Sequence, residues 1–330
     1  MQRKTWLDYA KFLLLMLVVV YHVPQQTNID HYMIQVFIMS AFFALSGFTF
    51  NIAKFANFKQ FAIHRGKRLV VPYFTFFVLF YAFWLIVGRR MAGGAESGIP
   101  LSTPVVEHVL GKPYVVLHIF WFLACLITIQ LLYYPIARYV PAKWRFAVCV
   151  AISFTWYAIK DVDVWNLSNA VYYLPFYAFG NCFKGWLDKV EFGSRDSLWA
   201  TLLMAVCVAG AVVEYNTDLC FSVTLKIAVG LGVIPFFICV MKWVAKLGHS
   251  RIIEVLAVNA IILLAFQNYL ISFERGVINH FMGTMFVENN VWLRVPLAIV
   301  TVAIIYPIIL FIIRYMPWMV GEQRKKSTIK

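Results

Sequence analysis

Apolar segments recur along almost the whole chain, at roughly 7–23, 33–53, 70–88, 115–135, 146–159, 169–183, 198–214, 221–241, 254–273 and 292–313. Most approach the ~20 residues a helix needs to cross the hydrocarbon of a bilayer. Inside lipid the backbone must satisfy its own hydrogen bonds, so such segments become helices rather than open strands. The sequence therefore predicts an all-α, polytopic transmembrane bundle of about ten spans. The shortest segment, 146–159, also reads as a re-entrant piece. Composition agrees: 62% of the 330 residues are hydrophobic and 13% are charged, against about half and a quarter in soluble domains. The loops are short, and residues 1–330 read as one integral membrane domain.

The formal net charge is +14, and its distribution decides what it means. With the N-terminus placed in the cytoplasm, most lysines and arginines fall on the inner segments. The outer ones carry Arg89, Arg90, Lys112, Lys160, Arg275 and Arg294, while Lys11 and Lys226 lie within spans. This is the positive-inside pattern. It puts both termini in the cytoplasm and accounts for the basic excess without nucleic acid. The basic tail, 321–330, is expected to be solvated and to meet anionic membrane lipid. The start MQRK resembles a signal peptide, but no small-residue cleavage site follows, so the first helix is expected to be retained. The longest loop runs from Arg89 to Tyr114 on the outer side. The six cysteines are scattered without a CxxC pair and read as small buried hydrophobes. No metal-ligand constellation is visible.

The first span, LDYAKFLLLMLVVVYH (7–22), keeps three ionisable side chains that an anchor does not need. Lys11 and His22 are eleven residues apart. Steps of about 100° bring them within about 20° of one helix face, roughly 16 Å apart along the axis. Asp8, three residues before Lys11, lies on a neighbouring face. Interfacial snorkelling of Lys11 and a headgroup position for His22 are the alternative. The first inner loop, HRGKRLVVPY (64–73), packs Arg65, Lys67 and Arg68 directly before the third helix. It reads either as anchoring charge or as a phosphate site, since guanidinium offers a planar donor fork to phosphate oxygens.

A lysine and a histidine at this spacing, FFALSGFTF (42–50) in the second helix, and the Arg65/Arg68 entry to Pro72 and Tyr73 together resemble the acyltransferase-3 family of integral membrane acyltransferases. HIFWFL (118–123) and YYLPFYAFG (172–180) extend the likeness over essentially the whole chain. Lys11 stands where the family often has arginine. ACLITIQ (124–130) lacks the acidic pair of some members, and Gln267 stands where a late helix often carries histidine.

The resemblance implies transfer of an acyl group, commonly acetyl, from cytosolic acyl-CoA to a hydroxyl of a cell-surface, exported or lipid-linked glycan. It also implies residence in a bacterial inner (cytoplasmic) membrane. Arg65 and Arg68, with Lys67, become candidates for holding the phosphates of CoA. His22 becomes the candidate general base, since imidazole titrates near neutrality; a covalent acyl-His22 is a variant. Lys11 goes to the CoA side of catalysis or to a structural ion pair with Asp8. His118 is a further catalytic candidate, and Trp121 is a candidate platform for a sugar ring or a member of the interfacial aromatic belt. Lys226, Glu254, Asn259, Gln267 and Asn268 read as packing polar groups; Asn259 and Gln267, eight apart, share a face and are candidates to line the acyl path. The competing classes are a transporter of a glycan or small anionic solute, and a non-enzymatic partner in glycan export.

Overall fold

The structure is a computed structural model and describes residues 4–321 apart from 92–95, 161, 163 and 218–222. The basic tail, Arg3 and Cys220 fall outside the described residues, and so does the Cys207 side chain. Among the described residues there are helices and no strands. The principal elements are α1 (Thr5–His22), α2 (Asn28–Thr49), α3 (Phe58–Gly88), α4 (Ser102–Val109), α5 (His118–Tyr139), α6 (Arg145–Ser153) and α7 (Trp156–Ile159). They continue as α8 (Leu167–Cys182), α9 (Arg195–Thr217), α10 (Val223–Val244), α11 (Arg251–Val258), α12 (Ala260–Met282) and α13 (Arg294–Tyr315).

Among the described residues, seven helices are long and apolar enough to cross a membrane: α1, α2, α3, α5, α10 (as Lys226–Leu247), α12 and α13 (as Val291–Tyr315). The other three expected spans differ in build. Segment 146–159 breaks into α6 and α7, of nine and four residues. Helix α8 has 16 residues, about 24 Å at 1.5 Å per residue, and all its residues from Ala170 to Gly180 are buried. It spends its length on protein rather than lipid. Helix α9 is long, at 23 residues.

The tightest packing in the bundle joins α2 and α8. A Cβ built at Gly47 would lie 1.9 Å from the Tyr177 carbonyl oxygen, and one at Gly180 would lie 1.9 Å from that of Ala44. Only glycine permits this approach, which is how small residues bring helices together in membranes. Asn181 reinforces the crossing by donating to the carbonyls of Gly47 and Phe50 at 3.1 and 2.9 Å. Tyr133 of α5 donates in turn to Asn181 at 2.8 Å.

Side-chain contacts gather the basic segments at one end. Lys4 pairs with Asp188, and Lys242 donates to the carbonyls of Leu187, Asp188 and Val190. The described C-terminus turns there too: the positive φ of Gly321 (70°) brings its Cα against the Lys67 carbonyl, with no room for a side chain.

Three departures from the sequence reading matter for the site. The 89–114 stretch is not simply a surface loop. Arg89 donates to the carbonyls of Ser97 and Ile99 and stacks its guanidinium on Trp84. Helix α4 then packs against α3. His108 is fully buried between the rings of Tyr73 and Phe77, 3.9 and 4.1 Å away, and its Nε2–H donates to the Tyr73 carbonyl. Second, Trp165 and Asn166 bond to α5 and to the end of α4: Trp165 N–H donates to Leu110, Asn166 to Gly111, and Thr128 Oγ1–H to the Trp165 carbonyl. Third, the expected span 254–273 is broken at Asn259 (φ −101°, ψ 33°), which separates α11 from α12.

The α2–α8 crossing gives a direct test. Gly180→Val forces a branched side chain onto the Ala44 carbonyl and exceeds the ~1–3 kcal/mol typical of overpacking. It is expected to abolish the monodisperse peak in fluorescence-detected size exclusion. Gly185→Ala, which meets open space, is expected to elute like the native protein.

Candidate functional site

His22 ends α1. Its Nδ1 lies 2.7 Å from the Val18 carbonyl. A carbonyl only accepts, so Nδ1 carries the proton and Nε2 keeps its lone pair. The Gln267 amide nitrogen approaches Nδ1 at 3.5 Å, and the amide oxygen is buried without a partner. Exchanging the two amide atoms by rotation gives the Nδ1 proton a second acceptor, since the ends of a carboxamide have the same shape. Tyr21 packs edge-on against the His22 ring and hydrogen-bonds His31 at 2.7 Å.

His22 lines a cavity of about 170 Å³ together with Gln35, His118 and Trp121. His118 follows Leu117, whose left-handed backbone (φ 55°) turns the chain into α5; it is exposed and stacks on Tyr114. Trp121, one turn further, is half-buried and borders this cavity and a second one. It therefore faces protein cavities rather than only an interfacial belt. The three outer-half candidates of the sequence reading are brought together.

Lys11 lines a separate cavity of about 160 Å³, with Ser46, Leu69 and the backbone around the Asn259 break: Ala257, Val258, Ala260 and Ile261. Irregular backbone at membrane depth is tolerated where it lines a cavity. Asp8, one turn toward the basic end, is buried. The Lys11 and His22 cavities share four wall residues, Phe42, Ile119, Phe122 and Leu264. They are neighbours divided by an apolar partition.

Arg65, Lys67 and Arg68 are not among the residues lining the Lys11 or the His22 cavity. They occupy the basic end, where Gly66–Val70 forms a π-helical turn inside α3. Arg65 is half-buried, with its guanidinium 5.7–5.9 Å from the rings of Phe50, Phe55 and Phe61. Its Nε is buried without a partner. Lys67 and Arg68 are exposed. Leu69, the next residue, reaches the Lys11 cavity, so the basic turn abuts that cavity through one side chain.

The expected partnership of Asn259 and Gln267 does not form. The break between α11 and α12 removes the shared helix face, and the Asn259 side chain donates back to the Val255 carbonyl at 2.8 Å. Gln267 alone reaches the site. Glu254 pairs with His249 at the basic end.

Gln35, Ser46, Asn169 and Tyr172 were missed in the sequence. Gln35 was detectable as an isolated amide in an apolar helix. It lies in a second π-helical turn, Ile34–Ile38, where its carbonyl accepts from Tyr173 at 3.3 Å and from Ser40 at 3.4 Å. Such turns are frequent at functional sites. Ser46 lay inside the quoted FFALSGFTF motif and had no separate signal.

A family model described as "acyltransferase domain" matches residues 4–310. No curated protein matches the chain, and neither does any solved structure.

The His22 geometry fixes a tautomer, which ¹⁵N spectra of histidine-labelled protein read directly. The resonance pair lost in His22→Gln is expected to be that of an Nδ1–H imidazole at neutral pH. An Nε2–H pattern would contradict the Val18 contact.

Proposed function

The chain belongs to the acyltransferase-3 family of membrane proteins, and on that premise we propose that it is an O-acyltransferase working across the bilayer. Its donor is acyl-CoA, with acetyl as the acyl group, taken from the cytoplasm. Its acceptor is a hydroxyl of an exported or surface glycan, met on the far side of a bacterial inner membrane. The observation that carries this reading is the pair of adjoining cavities. One begins beside the basic turn and Lys11, the other ends on His22 and His118, and a partition of four apolar residues divides them.

The basic end is the cytoplasmic one by the positive-inside rule. CoA is a cytosolic polyanion. The exposed Lys67 and Arg68, with Arg65 behind them, supply charge-assisted bonds to its phosphates. Lys11 stands between them and the partition. Arginine or lysine there carries the same positive charge toward the donor, and Asp8 is its structural counter-ion in the same helix. The thin pantetheine arm then carries the thioester past Phe42 and Phe122 toward His22.

At His22 the roles follow from the ring. Nδ1–H is held by the Val18 carbonyl, with Gln267 as a second acceptor, so Nε2 is the base. It takes the proton of the acceptor hydroxyl as the oxygen attacks the thioester carbonyl. The tetrahedral intermediate expels the CoA thiolate, which takes the proton from imidazolium. The products are an O-acyl ester and free CoA thiol, and Nε2 is regenerated. Gln267 fills the place of a charged or aromatic partner with a neutral amide, which orients the ring without adding charge in a low-dielectric site. His118, at the open side of the cavity, contacts the acceptor, and Trp121 stacks on its ring.

Purified protein in nanodiscs is expected to transfer labelled acetyl from acetyl-CoA, and His22→Ala to lower that rate by about 10²–10⁴ without changing its elution volume. Substrate uptake into vesicles without acyl chemistry would make the protein a transporter instead. Arg68→Gln with Lys67→Gln is expected to raise KM for acetyl-CoA several-fold and leave kcat near native, since phosphate contacts act as uniform binding. Mass spectra of surface glycans from cells lacking the gene are expected to lose one acyl unit.

A further inference from the structure

A third cavity, of about 300 Å³, adjoins the His22 cavity and shares Ile34, Gln35, Met39 and Trp121 with it. Its remaining wall is Trp156, Asn169, Tyr172, Tyr173 and Lys226. This is the low end of the ~300–1,000 Å³ of small-molecule sites, which pair apolar and aromatic walls with a few polar groups. Lys226 is the feature that packing alone does not require. The sequence reading treated it as a packing group, and its charge runs against the positive-inside pattern at this end of α10.

The fold directs Lys226 inward. Gly230 lies four residues later on the same face of α10. A Cβ there would lie 2.6 Å from the Val36 carbonyl oxygen and 2.7 Å from the Phe176 ring. That face is therefore pressed against α2 and α8, and the residue one turn outward along it opens on the cavity instead of on lipid. Among the described residues lining the cavity there is no aspartate or glutamate. The wall thus offers aromatic faces for the C–H surface of a sugar ring, amides at Gln35 and Asn169 for its hydroxyls, and one ammonium.

We propose that this cavity is the acceptor subsite and that Lys226 selects a carboxylate-bearing sugar residue, of the uronate type, placed beside the hydroxyl that His22 deprotonates. The proposal rests on the transferase reading above. A single ammonium matches the single charge of a carboxylate, while the guanidinium forks that hold phosphate oxygens bidentately lie at the basic turn. The shared wall at Gln35 and Trp121 puts such a residue within one sugar of the His22 cavity.

The test measures binding and turnover on the same preparations. Tryptophan fluorescence of purified protein in nanodiscs is titrated with tetragalacturonate and with maltotetraose as the neutral probe. The native protein is expected to bind the acidic probe at least about tenfold more tightly than the neutral one, with the preference falling as salt rises. Lys226→Met is expected to abolish the preference and Lys226→Arg to keep it. Equal binding of the two probes, binding of neither, or an unchanged preference in Lys226→Met overturns the inference. If acetyl-CoA turnover persists in that case, the transferase reading survives alone. A protein that prefers the acidic probe through Lys226 yet never consumes acetyl-CoA overturns both the transferase reading and the acceptor assignment.

Discussion

Hydrocarbon offers no hydrogen-bond partner, and much of this structure can be read as the consequence. At three places among the described residues where the backbone leaves the α-helix, it is bonded to protein or opens on a cavity. At the Asn259 break that residue's side chain donates to the Val255 carbonyl, and its neighbours Ala257, Val258, Ala260 and Ile261 line the Lys11 cavity. Trp165 and Asn166 are bonded to Thr128, Leu110 and Gly111. The π-helical turn at Ile34–Ile38 gives its freed Gln35 carbonyl to Tyr173 and Ser40. The Gly47–Gly180 crossing holds α8 against this system, because two carbonyls occupy the space where side chains would begin. A short α8, buried from Ala170 to Gly180, follows from that contact, and so does the aromatic lining that Tyr172 and Tyr173 give the third cavity.

The same constraint explains how an imidazole is kept usable inside a bundle. A histidine at a helix end has two nitrogens to satisfy. Here the helix's own carbonyl at Val18 takes one, four residues back. No carboxylate is needed, and among the described residues lining the His22 cavity there is none. A carboxylate would hold the ring more firmly, but it would need desolvating in a site already poor in water. On the proposed reading, Gln267 orients the ring at lower electrostatic cost. The exposed cations Lys67 and Arg68, proposed to hold the phosphates of the donor, lie instead at the basic end.

Much of this was legible in the sequence, and the reasons differ by element. Seven spans could be read because apolarity and length report directly on lipid. Helix α8 and segment 146–159 read alike in the sequence although one is a single helix buried from Ala170 to Gly180 and the other breaks in two, because a helix buried in protein is as apolar as one buried in lipid. The stripe from Lys11 to His22 was legible because helical periodicity within one element is fixed. The grouping of His22, His118 and Trp121 followed from equal depth in neighbouring helices. Asn259 and Gln267 failed for the opposite reason: their shared face assumed an unbroken helix, and Asn259 is itself the break. That Lys226 faces the bundle was legible, since a polar group facing lipid is costly; that it opens on a cavity was not, because this depends on Gly230 meeting Val36, a contact between distant parts of the chain.

The division into adjoining cavities bears on the proposed transfer from a thioester. A thioester exposed to water on the way to its acceptor is open to hydrolysis, and a wide aqueous channel would also leak ions. The partition of Phe42, Ile119, Phe122 and Leu264 is wholly apolar. A flexible thioester arm displaces such side chains by rotamer changes, whereas water entering without it finds no hydrogen-bond partner there. On the proposed reading, the arm then fills the only gap it opens. On the same reading, the donor reaches His22 from one side, the acceptor arrives by Trp121 from the other, and they meet at a ring whose second nitrogen the helix has already satisfied.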